Sequence, residues 1–367
     1  MMGVNQGNNH DDWRRPKDWS DAVHVGDIFL KIRGFVGPRD EKQIQSQFSS
    51  VGVKDQNELP PRSPKDSFSK AVLPLSSDVR FRRKCVTVFN GVRFGRILEL
   101  MDAFAGLVAY RYVLNPAQIS PSPFVLVTAL VDRIVTRYGH GKNCVAAISA
   151  NEDIFLSGFV SWVGKSSIEI LVDVWQNDSL VTDAAFVFVS RDPVGLGPTP
   201  VNPLKIESPE DQHYFSKGAA NTEMRKRFEE NNLFRTLPNK EESELLHRQF
   251  LASVESRVFR GETDNRLVAA RGGIYARDTQ SENVMICHPE DKNLNNKIFG
   301  GRMMRQAFEH AWGVAMLHWY SPPRGRPRLV CIDDIWFRKP QLYPREQVKQ
   351  RDHSSLWTLQ IYHGCSR

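Results

Sequence analysis

From residue 97 to 109 the chain is apolar on nearly every side: Ile97-Leu98-Glu99-Leu100-Met101-Asp102-Ala103-Phe104-Ala105-Gly106-Leu107-Val108-Ala109. A helix lying on a surface shows one apolar stripe, so a segment without a polar face belongs inside a shell of other elements. Nothing else in the sequence constrains the fold as much, because the rest of the chain must supply that shell. Asp102 sits in the middle of the segment. Taking an unpaired carboxylate out of water is costly, so a buried Asp102 needs partners or a raised pKa, and that makes it a candidate general base. The spacing also allows a plainer reading, in which Arg96, Glu99 and Asp102, each about a turn from the next, run along one solvated, salt-bridged edge.

A second stretch repeats the pattern about two hundred residues later. Asn90-Gly91-Val92-Arg93-Phe94-Gly95 leads into the first helix, and Asn295-Asn296-Lys297-Ile298-Phe299-Gly300-Gly301 leads into another; each helix carries an acid seven or eight residues past the last glycine. Two copies suggest one fold used twice. A chain of 367 residues also suits two domains of about 100 to 130 residues with connecting segments. The shell for the first helix reads as strands over 84–89, 124–131, 155–163, 167–175 and 184–190, an α+β arrangement. In the fourth of these Ile168, Ile170, Val172 and Val174 make a strictly apolar face, as expected of a sheet wrapping a helix on one side. Asn115-Pro116 ends the helix. The connector holds charged, helix-prone runs over 210–231 and 240–254, a strand is expected over 283–287, and another over 329–340.

These segments together resemble the acyl-CoA thioesterases built from two hotdog domains, most closely the mitochondrial branch of that family. The resemblance is carried by the helix 95–112 with its Met101-Asp102, the run 157–169, and Ile298-Phe299-Gly300-Gly301, and it extends from about residue 83 to 340. It implies tandem hotdog domains, each a long helix wrapped by antiparallel sheet: an N-terminal extension over 1–80, a first hotdog over 81–192, a linker with peripheral helices over 193–278 and a second hotdog over 279–367. The implied reaction is hydrolysis of fatty acyl-CoA to free fatty acid and coenzyme A by base-activated water, with no cofactor, in a homo-oligomer formed through hotdog sheets. Mitochondria are the implied compartment. Asp102 matches the acid that activates water, and Asn296 matches the Asn before Phe-Gly-Gly, with the adjacent Asn295 left open. Gly300 and Gly301 offer backbone donors to an oxyanion, since glycines permit close approach and the first N–H groups of a helix are free. Gly95 and Lys165 complete the substrate-binding candidates. Arg302, Arg305, Gln306 and Glu309 form a polar stripe on the second helix, and their spacing pairs Glu309 with Arg305.

Other chemistries find less support. The net charge of +7 favours anionic partners such as coenzyme A, whereas nucleic acid would call for a basic stripe that the scattered Lys and Arg do not make. No apolar run reaches the roughly 20 residues needed to cross a bilayer. Five cysteines at irregular spacings indicate neither a disulfide framework nor a zinc site, and nothing else suggests a metal. Cys85 and Cys144 read as packing residues. Gly164-Lys165-Ser166 lacks the spacing of a phosphate loop and reads as a hairpin turn. A hotdog dehydratase would want a histidine near the helix, and the first domain offers only His140. The polar start is a poor mitochondrial presequence, which leaves the cytoplasm as the alternative. After Pro340 the strands that the family pattern would supply are missing, so the second hotdog is expected to be incomplete. That favours, as the rival reading, an acyl-CoA-binding or dimerising module with impaired catalysis.

Overall fold

In the computed structural model the described residues are 13–36, 55–114, 125–137, 148–192, 197–231, 236–260, 279–283, 285–293, 298–320, 325–327 and 329–337. The elements in chain order are β1 (Val23–His24), α1 (Ile28–Val36), α2 (Pro64–Ser67), β2 (Ser69–Leu73), α3 (Val79–Cys85) and α4 (Phe94–Val113). They continue with β3 (Val125–Thr136), β4 (Ile154–Val163), β5 (Ser167–Gln176), β6 (Ser179–Arg191), α5 (Pro209–Glu230) and α6 (Lys240–Arg260). The last three are α7 (Gly300–Trp319), β7 (Cys331–Ile332) and β8 (Ile335–Trp336).

The helix without a polar face is α4, and all its residues except Arg96 and Arg111 are buried. One antiparallel sheet, in the order β4-β5-β6-β3, encloses it, with β2 beyond β4 and with β7 and β8 both paired to β3. The inward row Ile168, Ile170, Val172 and Val174 is fully buried, as its alternation predicts. Gly158 in β4 lets the helix approach: a Cβ there would lie 3.0 Å from the Phe104 ring and 2.8 Å from the Leu171 carbonyl. Burying a side chain such as Phe104 or Met101 contributes about 1.5–3 kcal/mol, so this contact is the main source of order in the domain. On the side that the sheet leaves open, α1 lays Ile28 and Ile32 against α4, and Ile32 passes 3.7 Å from the position of a Cβ on Gly106.

Three expected strands need correction. The leading strand over 84–89 is instead the end of α3, which Asp78 starts by accepting from the Phe81 N–H, followed by a tight turn in which Asn90 takes φ 60 and Val86 bridges Val92. Its place in the sheet is taken by β2, drawn from the expected N-terminal extension over 1–80; Ala71 and Leu73 are fully buried. The described residues of 283–287 form no strand, and a single bridge, Lys292 to Ile298, precedes α7 instead. Of the strand expected over 329–340, the described residues 329–337 form two short pieces, interrupted at Asp333-Asp334.

The outer face of the sheet carries the chain's own segments. Arg14 stacks on Trp13, Phe159 and Tyr214 and pairs with buried Asp211 at the start of α5, and Gly218 brings α5 down onto Trp162 and Glu169. Residues 219–286 and 310–327 form a second compact unit, which contains α6 and the ends of α5 and α7. No described helix is long and apolar enough to cross a membrane.

Candidate active site

Asp102 is 1% exposed at the midpoint of α4. The solvated-edge alternative therefore fails: the start of α7 covers Glu99 and Asp102, Thr128 of β3 covers Asp102 from the sheet, and only Arg96 of the expected three stays partly open. Thr128 of β3 donates its hydroxyl to Asp102 Oδ1 over 2.8 Å. Directly after Thr128, β3 slips by one residue against β6 at Ala129, and the Ala129 carbonyl accepts the Phe337 N–H at 2.9 Å, just past β8. Such a bulge re-aims a side chain, here that of Thr128, and anchors the segment that carries Phe337.

The other wall is the start of α7. A Cβ on Gly300 would lie 3.3 Å from Asp102 Oδ2 and 3.5 Å from the Phe337 ring, and the Gly301 backbone N–H faces the carboxylate. Oδ2 itself is buried without a hydrogen bond of ordinary geometry among the described residues. Burial, reinforced by the negative charge of Glu99, pushes the Asp102 pKa up to about 7, against the pull of the Thr128 and Gly301 donors. A carboxyl poised there takes and returns a proton near neutral pH, which is what a general base must do.

The loop into α7 is held from behind. Asp291, 6% exposed, accepts the His288 N–H through its side chain and the Phe299 N–H through its carbonyl, and it pairs with Arg302 at 3.0 Å. Phe299 packs edge-on against Phe29 of α1. Helices α4 and α7 run antiparallel, with Phe94 against Phe308 at 5.6 Å and two sets of ion pairs between them. Arg93 grips Glu309 with two bonds of 2.6 and 2.8 Å, and Glu99 takes both Arg96 and Arg305. The intrahelical pairing of Glu309 with Arg305 is therefore incorrect: each residue finds an opposite charge across the interface, closer than its neighbour a turn away.

Of the expected site residues, the structure brings together Asp102, Gly300 and Gly301. Gly95 lies in the helix interface, where a Cβ would sit 3.1 Å from Glu309 Cγ and 3.2 Å from the Arg305 carbonyl. Lys165 is exposed in the β4–β5 hairpin. The cross-strand row Val163, Ile168, Phe188, Thr128 puts that hairpin at the same end of the sheet as Thr128, two to three strand spacings away, roughly 10–14 Å. Asn295, Asn296, His140 and Cys144 fall outside the described residues. Burial pushes the Cys85 thiol up to about 11, as suits a packing residue rather than a nucleophile. Among the described residues no cluster of metal-ligating side chains occurs. Sequence reasoning missed Thr128, whose signal was a lone hydroxyl in an otherwise apolar strand, and it also missed Asp291 and Phe337.

A buried carboxylate with a pKa near neutrality thus lies against the start of a helix, where the first backbone N–H groups have no partner within the helix. No family model matches the chain. It is 37% identical over 329 residues to the human mitochondrial acyl-coenzyme A thioesterase 9, an alignment covering 86% of this chain and 71% of that protein. The Bos taurus acyl-coenzyme A thioesterase 9 is 38% identical, with 87% and 72% covered, and the mouse mitochondrial acyl-coenzyme A thioesterase 10 is 35% identical, with 88% and 72% covered. Among solved structures, the acyl-CoA hydrolase from Bacillus cereus aligns with 49% of this chain and 99% of its own, at 18% identity and a TM-score of 0.37. The chain belongs to the acyl-CoA thioesterase family, and its enzyme class is thioester hydrolase.

Proposed function

We propose that this chain hydrolyses fatty acyl-CoA with Asp102 as the base. Asp102 takes a proton from water as the water oxygen attacks the thioester carbonyl. The oxyanion that forms is held by backbone N–H groups at the start of α7, at Gly300 and Gly301. Collapse breaks the carbon–sulfur bond, and the departing coenzyme A thiolate takes the proton back from Asp102, so that the products are the carboxylic acid and the thiol. Asn296, with Asn295 as the alternative, orients the water or the thioester, and Lys165 meets a coenzyme A phosphate at the sheet end it shares with Thr128. The observation that carries this reading is the contact between an acid of the first copy of the motif and the Gly-Gly of the second.

The same contact fits a tandem hotdog arrangement, with the first half also drawing β1, α1 and β2 from the 1–80 extension. Aligning Phe94-Gly95 with Phe299-Gly300 carries Asp102 onto Ala307, so the second helix supplies no acid at that position and one site per chain is expected. A second half less complete than the first fits the burial of its helix. Residues 311–316 of α7 are only half-buried and Leu317 is 79% exposed, whereas α4 is enclosed. A mitochondrial location follows the names of the relatives; self-association through the sheets is part of the same proposal, although the outer face of β4 and β5 already carries Arg14 and α5.

The test is release of free coenzyme A, followed with a thiol reagent, from acyl-CoAs of graded chain length. The wild-type chain should release it, and Asp102→Asn should not while keeping its fold. Saturable acyl-CoA binding without release by the wild type would refute the reading.

A further inference from the structure

We propose that Glu99 is a positioning residue that holds the start of α7 over the Asp102 carboxylate, an inference that rests on Asp102 being the base. Glu99 lies one turn before Asp102 on α4 and is 8% exposed. It touches α7 at two levels. Its side chain takes the Arg305 guanidinium at 2.6 Å, and Arg305 is itself 8% exposed. Its backbone carbonyl lies 2.8 Å from where a Cβ on Gly301 would stand, so the main chains of the two helices meet there. Arg305 and Gly301 are one turn apart on α7. Together the two contacts set how far the end of that helix projects, and the residue at that end, Gly300, is the one against Asp102 Oδ2.

The arrangement is costly unless complete. Glu99 also holds Arg96, so removing its charge strands two buried or half-buried guanidinium groups. Its negative charge acts on Asp102 as well. Among the described residues, α4 presents Glu99 to the carboxylate, and Arg96 and Arg305 are paired to Glu99. Strand β3 presents the neutral Thr128, α7 its backbone, and the segment after β8 the apolar Phe337. The Glu99 charge disfavours ionisation of Asp102, so neutralising it should move the base to lower pH.

The experiment measures kcat, KM and the pH dependence of kcat/KM for E99Q, R305Q and E99Q/R305Q, with D102N alongside. Misplacing a catalytic group by an ångström costs up to about a hundredfold in rate, so E99Q and R305Q should each lose about tenfold or more in kcat with KM changed by less than about threefold. The double variant should be no slower than the slower single one, since both remove the same contact. The acid limb should move to lower pH in E99Q and in the double variant and stay in place in R305Q. Wild-type kcat in both singles, or losses that multiply in the double variant, would overturn the proposal. Should E99Q not fold, E99D and R305Q decide: E99D keeps the charge but loses reach, so kcat falls without a shift of the limb, and wild-type kcat in both overturns the clamp. Turnover by D102N would instead refute the base itself, whatever Glu99 does.

Discussion

Replacing Thr128 with valine removes one hydroxyl from the Asp102 carboxylate and leaves the side-chain volume nearly unchanged. The bond it removes, 2.8 Å long, favours the ionised acid and opposes the effect of burial. A hydrogen bond to a charged group contributes about 1.5–3 kcal/mol, and about 1.4 kcal/mol corresponds to one pH unit, so the pKa should rise from about 7 by about one unit or more. At pH 7 the ionised fraction then falls from about one half to about one tenth, and kcat/KM should fall about fivefold. By pH 9 both proteins are largely ionised and their rates should converge. The assay is initial-rate release of coenzyme A across that range, since the profile of kcat/KM reports the free enzyme. An acid limb that stays in place or moves to lower pH in T128V would refute the assignment of Thr128 and Asp102 to one titrating unit.

The buried base should also leave a mark on stability. Its folded pKa, about 7, lies above the ordinary carboxylate value, so the folded protein holds the proton more tightly, and stability should fall as pH rises from about 4 to above 7. D102N lacks this decline and should gain stability relative to wild type across that window, by a few kcal/mol in order of magnitude, as read from denaturant midpoints. The sign is the same for D173N and D334N, because burial and a facing Asp183 push Asp173 up to about 7 and burial and Asp132 push Asp334 up to about 6. Gly301→Ala places a Cβ 2.8 Å from the Glu99 carbonyl and should cost about 1–3 kcal/mol in thermal unfolding with a large loss of kcat, whereas Gly300→Ala at 3.3 Å should be milder. Glu309→Gln should cost at most about 1 kcal/mol, because the Arg93 pair is about a third exposed; kcat should stay within twofold of wild type.

What the sequence makes legible follows what its patterns report. The enclosed helix and four of the five strands around it were readable because long apolar runs and strict alternation act within one element. The fifth was not: Ser69-Lys70-Ala71-Val72-Leu73 has little β-branched character and sits among Ser and Pro, while Val86, Thr87 and Val88 carry that character but belong to a turn. Asp102 was found because a lone carboxylate in an apolar helix is anomalous by itself. Its partners depend on pairings distant in sequence. Nothing in the spacing of Glu99, Arg305 and Glu309 reveals that two antiparallel helices exchange their charges, and the contact of Gly300 with Asp102 became legible only through the repeated motif.

On the proposed mechanism Asp102 activates water and does not itself attack the thioester. A single turnover with enzyme in excess over acyl-CoA, run in oxygen-18 water, tests it directly. Direct attack by water predicts one heavy oxygen in the fatty acid from the first turnover and none in Asp102; a first turnover that releases unlabelled acid, with heavy oxygen found afterwards in the Asp102 carboxyl, would contradict the account.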